Sequence, residues 1–270
     1  MKKFLAFILC AMMVFTMFAC QAPAVDTPVD TGDVAEPAGD VAAVKAAGKL
    51  VVGMTDYAPM NYKDDNGEWT GFDTEFAQAY AKTLGVDVEF IVIDWDNKYT
   101  ELEAKSIDCI WNGMTITEEG KLNASISNPY VKNAQVVVMA KDKLADYATS
   151  NDMLDLNFAV ENGSAGADAA ELAGFKNVIA VQDQAAALLE VAAGSVDACI
   201  IDITMANAMT GEGTSYADYG YVMELSAEEY GVAFRKGSDM TADFNAFMAT
   251  AMTDGTLDDL AAKYELTLVK

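Results

Sequence analysis

Among 270 residues the chain has no histidine, four cysteines and one arginine, Arg235, and that inventory limits its chemistry at once. Without an imidazole it holds no Ser-His-Asp or Cys-His nucleophile and no His-ligated metal. The CxxC, HExxH, Walker-type and GxGxxG signatures are also absent. Carboxylates dominate what remains, with 42 Asp and Glu against 17 Lys and Arg and a formal net charge of −25. Two stretches echo one another: "LEAKSIDCIWNGMT" and "LEVAAGSVDACIIDITMA" each run from a helix end through a turn and an Asp into a Cys-containing apolar segment, then into polar residues. A third, "ENGSAG", is a glycine-rich turn that opens a helix-like segment. Backbone amides at such a helix start hold an anion without any cationic side chain. The available chemistry is hydrogen bonding and carboxylate electrostatics.

These groups need elements to position them. "KLVVGM" (Lys49–Met54) is short, apolar and bounded by turn residues, the pattern of a buried strand. "DTEFAQAYAKTLG" predicts a helix capped by Asp73 and closed by Gly85, with Phe76, Ala77, Tyr80, Ala81 and Leu84 on one face. Further strands are expected over 86–93, 108–114 and 134–140, with a second helix in "YTELEAKSI". The alternation then restarts: "LNFAV", a helix from the glycine-rich turn to Leu172, "NVIAV", "QAAALLEVAAG" and "VDACII". Alternation of this length predicts parallel α/β sheet covered on both faces, and its repetition predicts two sheets. Ligands of such sheets sit at the carboxyl ends of strands. Each echoed segment puts its polar residues there, one per sheet, so a cleft between two lobes follows. Cys109 and Cys199 lie within the apolar runs. A disulfide is open to them in a secreted protein, and two buried free thiols are the expectation.

The N-terminus carries Lys2 and Lys3 followed by an apolar run over 4–19, too short for a stop-transfer helix and suited to a signal peptide over 1–19. It ends in "MFAC". A signal that stops just before a cysteine resembles that of a bacterial lipoprotein, which implies lipidation of Cys20, although Phe18 departs from the small or branched residue usual there. Residues 20–45 contain Pro23, Pro28 and Pro37, several acids and no basic residue before Lys45, and are expected to form a disordered acidic linker. As a flexible tether it reaches roughly 25–30 Å. The strong negative charge repels phosphate backbones, which excludes nucleic acid as a partner and tilts the surface field toward cations.

From 46 to 270 the chain resembles the family 3 extracellular solute-binding proteins, the receptors of amino-acid ABC importers. The resemblance is carried in order by "KLVVGMTDYAPMNY", "WTGFDTEFAQAYAKTLG", "GMTITEEGK…SNPY", "ACIIDITMA", "EEYGVAFRKGS" and "DGTLDDLAAKY". It implies an α/β, two-lobed periplasmic-binding-protein-like fold, with two α/β sheets joined by a two-segment hinge. Lobe 1 would take 46–132 and 228–270 and lobe 2 would take 133–227, with crossings near 130–134 and 226–230. It further implies that Asp56, Tyr57, Trp95, Asn112, Gly113 and Thr115 on lobe 1, and Ser164 and Asp202 on lobe 2, contact the solute. Tyr57 and Trp95 are alternatively core aromatics, Thr115 and Ser164 caps or turn residues, and Asp202 an N-cap.

The family pattern runs Thr-x-Thr-x-x-Arg, the arginine gripping a carboxylate, whereas this chain has Thr115, Thr117 and then Gly120. Arg235, in "AFRKGS", resembles an exposed turn. The function implied is a lipid-anchored receptor on the outer face of a bacterial membrane, binding a small polar solute, foremost an amino acid, for an ABC permease. No cofactor, no metal and no catalysis are expected, and the receptor is expected to be a monomer. Gly120 keeps open a receptor for a cationic amine. More distantly, it keeps open a dehydratase- or transglycosylase-like enzyme on the same scaffold, with Glu161 and Asp202 as its acids.

Overall fold

A computed structural model describes residues 38–270; the signal segment, Cys20 and the linker up to residue 37 lie outside the described residues. In chain order α1 (Asp40–Ala47) leads to β1 (Lys49–Met54), the small ribbon β2 (Tyr62–Lys63) and β3 (Trp69–Thr70), α2 (Phe72–Leu84), β4 (Asp87–Val92), α3 (Lys98–Glu103), β5 (Cys109–Ile110), α4 (Glu118–Asn123) and β6 (Ser125–Ile126). Next come β7 (Val131–Ala140), β8 (Asn157–Glu161), α5 (Ala165–Leu172), β9 (Asn177–Val181), α6 (Gln184–Ala192), β10 (Ala198–Asp202), α7 (Ile203–Met209) and β11 (Tyr219–Tyr230). The chain ends through β12 (Ala233–Phe234), α8 (Met240–Thr253) and α9 (Thr256–Lys263).

Two five-stranded sheets result, ordered β4-β1-β5-β12-β6 and β11-β7-β10-β8-β9. Both are mixed, which corrects the parallel expectation. β1 runs parallel to β4 and β5, and β8 parallel to β9 and β10, but β12 and β7 join their sheets antiparallel. The exceptions are the strands on which the chain leaves or re-enters a sheet, and these arrive from the opposite direction. Between the sheets the two crossing segments pair with each other: Ala134 with Ala227, Asn133 with Glu228, Lys132 with Glu229 and Val131 with Tyr230.

Local sequence explains the anchoring elements. In α2 the buried face is Phe72, Phe76, Ala77, Tyr80, Ala81 and Leu84, and Gly85 closes the helix at φ 74°, a left-handed turn that glycine adopts without strain. Asp73 does not cap this helix. The N-cap is Gly71, and Asp73 points inward, fully buried. Trp111 packs in the core against Phe76 and Phe244, with ring centroids 5.4 and 4.9 Å away. Cys109 and Cys199 are buried free thiols on different sheets.

Two expectations change at the edge of this fold. Residues 40–45, expected as linker, are helical in α1, with Val44 buried. Arg235, expected on an exposed turn, is largely buried and helps to hold α1, together with buried Val44 and the Val41 N–H that donates to Asp239 at 3.1 Å. The Arg235 Nε meets Asp40 at 3.1 Å, while its terminal nitrogens donate to the Ile107 carbonyl at 2.7 Å and to Asp108 at 3.2 Å. No described helix is long and apolar enough to cross a membrane.

Candidate functional site

The carboxyl ends of β5, β8 and β10 and the start of α5 converge on one cavity of about 50 Å³, walled by both sheets. Trp95, Lys98, Tyr99, Asn112, Gly113, Thr115, Thr117 and Glu119 line it from one side, and Gln135, Glu161, Gly163, Ser164, Asp168, Gln184 and Asp202 from the other. Six of the eight residues expected at a binding site are therefore brought together: Trp95, Asn112, Gly113, Thr115, Ser164 and Asp202. The other two are not. Asp56 is exposed outside the cavity. Tyr57 is fully buried, its hydroxyl hydrogen-bonded to Thr204 and, at 2.5 Å, to Tyr230, so its ring joins the lobes rather than facing the cavity.

Each residue that lines the wall is set by its neighbours. The Asn112 amide oxygen accepts from the Thr55 backbone and hydroxyl at 2.9 and 2.8 Å, and its nitrogen donates to the Thr55 carbonyl at 3.0 Å. Its side chain thus fixes the end of β1 instead of reaching inward. Gly113 sits at φ 55°, and a Cβ there would lie 2.7 Å from the Tyr57 ring. Its N–H donates to Asp73 at 2.6 Å, and Tyr130 donates to the same carboxylate at 2.8 Å. Burial lifts Asp73 to about 7 despite these donors. The Thr115 hydroxyl donates to Glu228 at 2.9 Å. Ser164 caps α5, accepting from the Ala167 N–H at 3.2 Å. Ser164 and Ala165, at the start of α5, thus line the cavity with the Ser164 hydroxyl already in use.

The electrostatics are one-sided. Asp202 stands at the N-cap position of α7 but does not cap it. Its carboxylate accepts from Gln135 at 2.8 Å and from the Asn133 and Gln184 amides. Burial, with Glu228 nearby, raises it to about 6. Glu161, at the end of β8, is 2 % exposed, and its Oε1 has no hydrogen-bond partner. Burial, and then the charge of Asp202, lifts it to about 8, although Lys98 opposes the shift. Lys98 is the one cation of the wall. Its Nζ donates to the carbonyls of Trp95 at 3.2 Å and Gly163 at 2.9 Å, and lies 5.1 and 5.0 Å from the ring centroids of Trp95 and Tyr99. Burial pulls its ammonium below the usual lysine range. No group of three cysteine, aspartate or glutamate side chains among the described residues is placed to hold a metal ion.

The missing arginine has a structural counterpart. Gly120 lies buried in the six-residue α4, and a Cβ there would come 2.9 Å from the Tyr99 hydroxyl. Tyr99 thus occupies the space through which a side chain at 120 would leave. Its role was illegible in sequence, as were those of Asp73, Gln135, Gln184 and Glu228. Tyr99, Gln135 and Gln184 belong to no motif, and only the fold brings them to the wall; Asp73 and Glu228 stand in motifs but act from behind it, through Gly113 and Thr115. For Glu228 a further signal was its place in the second crossing segment.

The sequence profile of the bacterial extracellular solute-binding proteins, family 3, matches residues 50–267. The L-cystine-binding protein TcyJ of Escherichia coli (strain K12) is 30% identical over 229 residues, covering 82% of this chain and 84% of TcyJ. The arginine-binding extracellular protein ArtP of Bacillus subtilis (strain 168) is 29% identical over 276 residues and covers 98% of both chains. Among solved structures, the ancestral amino acid-binding protein AncCDT-1, a precursor of cyclohexadienyl dehydratase, matches with TM-score 0.76 and 32% identity over 83% of this chain and 98% of that one.

Proposed function

The chain belongs to family 3 of the bacterial extracellular solute-binding proteins, and from that premise we propose that it is the receptor of an ABC importer that closes on an amino acid between its lobes. The observation that carries this reading is a polar cavity walled by both sheets, with Trp95 and Tyr99 on one side and Glu161, Asp168 and Asp202 on the other. We take the lobes as 46–132 with 228–270, and 133–227, hinged on the paired segments around Lys132 and Glu229. Affinity then comes from contacts that both lobes make only when shut. In this reading Asp202 receives the α-ammonium. The α-carboxylate meets the amides that open α5, because no arginine stands at 120. Binding and release proceed without bond-making. Cys20 carries the lipid that keeps a monomeric receptor at the outer face of the membrane, from which it delivers its solute to the permease.

Thermal denaturation against matched pairs tests the reading: arginine with agmatine, lysine with cadaverine, tyrosine with tyramine. A ligand at ~100 times its Kd adds about 2.7 kcal/mol, a rise of several degrees for a protein of this size. Amino acids that raise the midpoint where their amines do not support the α5 amides as the carboxylate site. Amines that raise it equally or more move the protein to a different solute class.

A further inference from the structure

Glu161 has no work in the fold. It makes no cap and no ion pair among the described residues, and one of its oxygens is buried without a donor at the cavity wall. A buried carboxylate oxygen without a partner is costly, and native structures rarely keep one without a use. Its neighbours do not supply the missing partner. The Thr55 hydroxyl already donates to Asn112, Asp202 and Asp183 are acids, and the Lys98 ammonium is turned to the Trp95 and Gly163 carbonyls. Asp202 differs in kind, since three side-chain amides already donate to it. Around the whole cavity, Glu119, Glu161, Asp168 and Asp202 face one lysine. A zwitterion brings one positive group for these acids, and its carboxylate adds another negative charge. A solute with a second positive group takes the place of the proton that burial keeps on this wall.

We infer that Glu161 is the specificity-determining residue of this cavity, binding an ammonium or guanidinium group that the solute carries in addition to its α-amino group. The inference rests on the receptor reading above and narrows its solute to cationic amino acids. Trp95 and Tyr99, already in contact with the Lys98 ammonium, give the same wall a π-face toward positive charge.

Isothermal titration of the purified protein with L-arginine and its uncharged isostere L-citrulline, and with L-lysine and L-norleucine, tests this. The expected result is that arginine or lysine binds at least ~100-fold more tightly than its neutral counterpart. Glu161→Gln, which keeps the shape and removes the charge, is expected to erase most of that ratio. If wild type binds citrulline or norleucine as tightly as the cationic amino acid, the inference falls and the receptor reading stands. The same holds if Glu161→Gln, folded by circular dichroism, keeps the full ratio. If no amino acid binds wild type, both fall. Should Glu161→Gln not fold, Glu161→Ala is titrated in its place, and a wild-type ratio near one overturns the inference on its own.

Discussion

At the residue scale, the exchange of an arginine for Gly120 is coupled to Tyr99. A Cβ at 120 falls 2.9 Å from the Tyr99 hydroxyl, so returning the arginine overpacks that corner. Gly120→Arg alone is expected to cost about 1–3 kcal/mol of stability in chemical denaturation. Pairing it with Tyr99→Ala should recover most of that loss and tighten binding of carboxylate-bearing solutes. Buried acids make a second prediction at this scale. Asp73, Glu161 and Asp202 are raised to about 7, 8 and 6, so each binds its proton more tightly folded than unfolded. Stability from such groups is fully present below their unfolded values and is lost as pH climbs through the folded ones. The solute-free melting temperature should therefore fall by several degrees between pH 5 and 8.5. Glu161→Gln should flatten the part of that fall above pH 7, where Lys98, Asp183 and Asp202 remain as its charged surroundings. A flat wild-type profile over this range contradicts the assignment.

At the element scale, Arg235 ties α1 to the first sheet through Asp40, the Ile107 carbonyl and Asp108. Arg235→Ala strands a buried carbonyl and a partly buried carboxylate. It should lower stability by about 2 kcal/mol and expose α1 to proteolysis, with solute affinity unchanged. The elements legible in sequence were those whose side chains fit a single environment. β1 is an apolar run buried between two parallel neighbours, and α2 carries its apolar face at helical spacing with glycine at its end. Those that escaped take their identity from distant partners. β12 has two residues and exists through pairing with β5 and β6, while β11 mixes acids and aromatics along a sheet edge with two register shifts. α1 escaped because its signal was drowned by the acidic, proline-bearing stretch before it. The site divides in the same way. Trp95, Asn112, Gly113, Thr115, Ser164 and Asp202 stand at the cavity wall, where their positions in the chain suggested. Tyr57 takes its core alternative, because its hydroxyl is already bound to Thr204 and Tyr230, which sequence cannot show.

At the scale of the whole molecule, that hydroxyl cluster spans both sheets, which is where a latch would stand. Tyr57 follows the first sheet's β1, Thr204 lies in α7 beside the second sheet, and Tyr230 ends the strand between them, its hydroxyl 3.0 Å from that of Thr204. Lys98 adds a second strut to the Gly163 carbonyl at 2.9 Å. Thr204→Val removes the pivot of the cluster and should weaken closure by about 1 kcal/mol, roughly a fivefold loss of affinity. Small-angle scattering should then report a larger radius of gyration without solute than for wild type, and a matching radius at saturation. An unchanged radius in both states would leave the latch without a role in closure.

The single thiol at the centre of each sheet has a practical consequence. Cys109 and Cys199 are both fully buried and unpaired, one per sheet. A thiol reagent therefore reads each sheet only while that sheet is open to solvent, and mass spectrometry of the two labelled peptides separates the readings. The protein carries its own pair of chemical clocks. One runs at the pace of the sheet formed from both ends of the folded chain, the other at the pace of the sheet formed from its middle. Their ratio tells whether a solute steadies the two halves alike or grips one harder than the other.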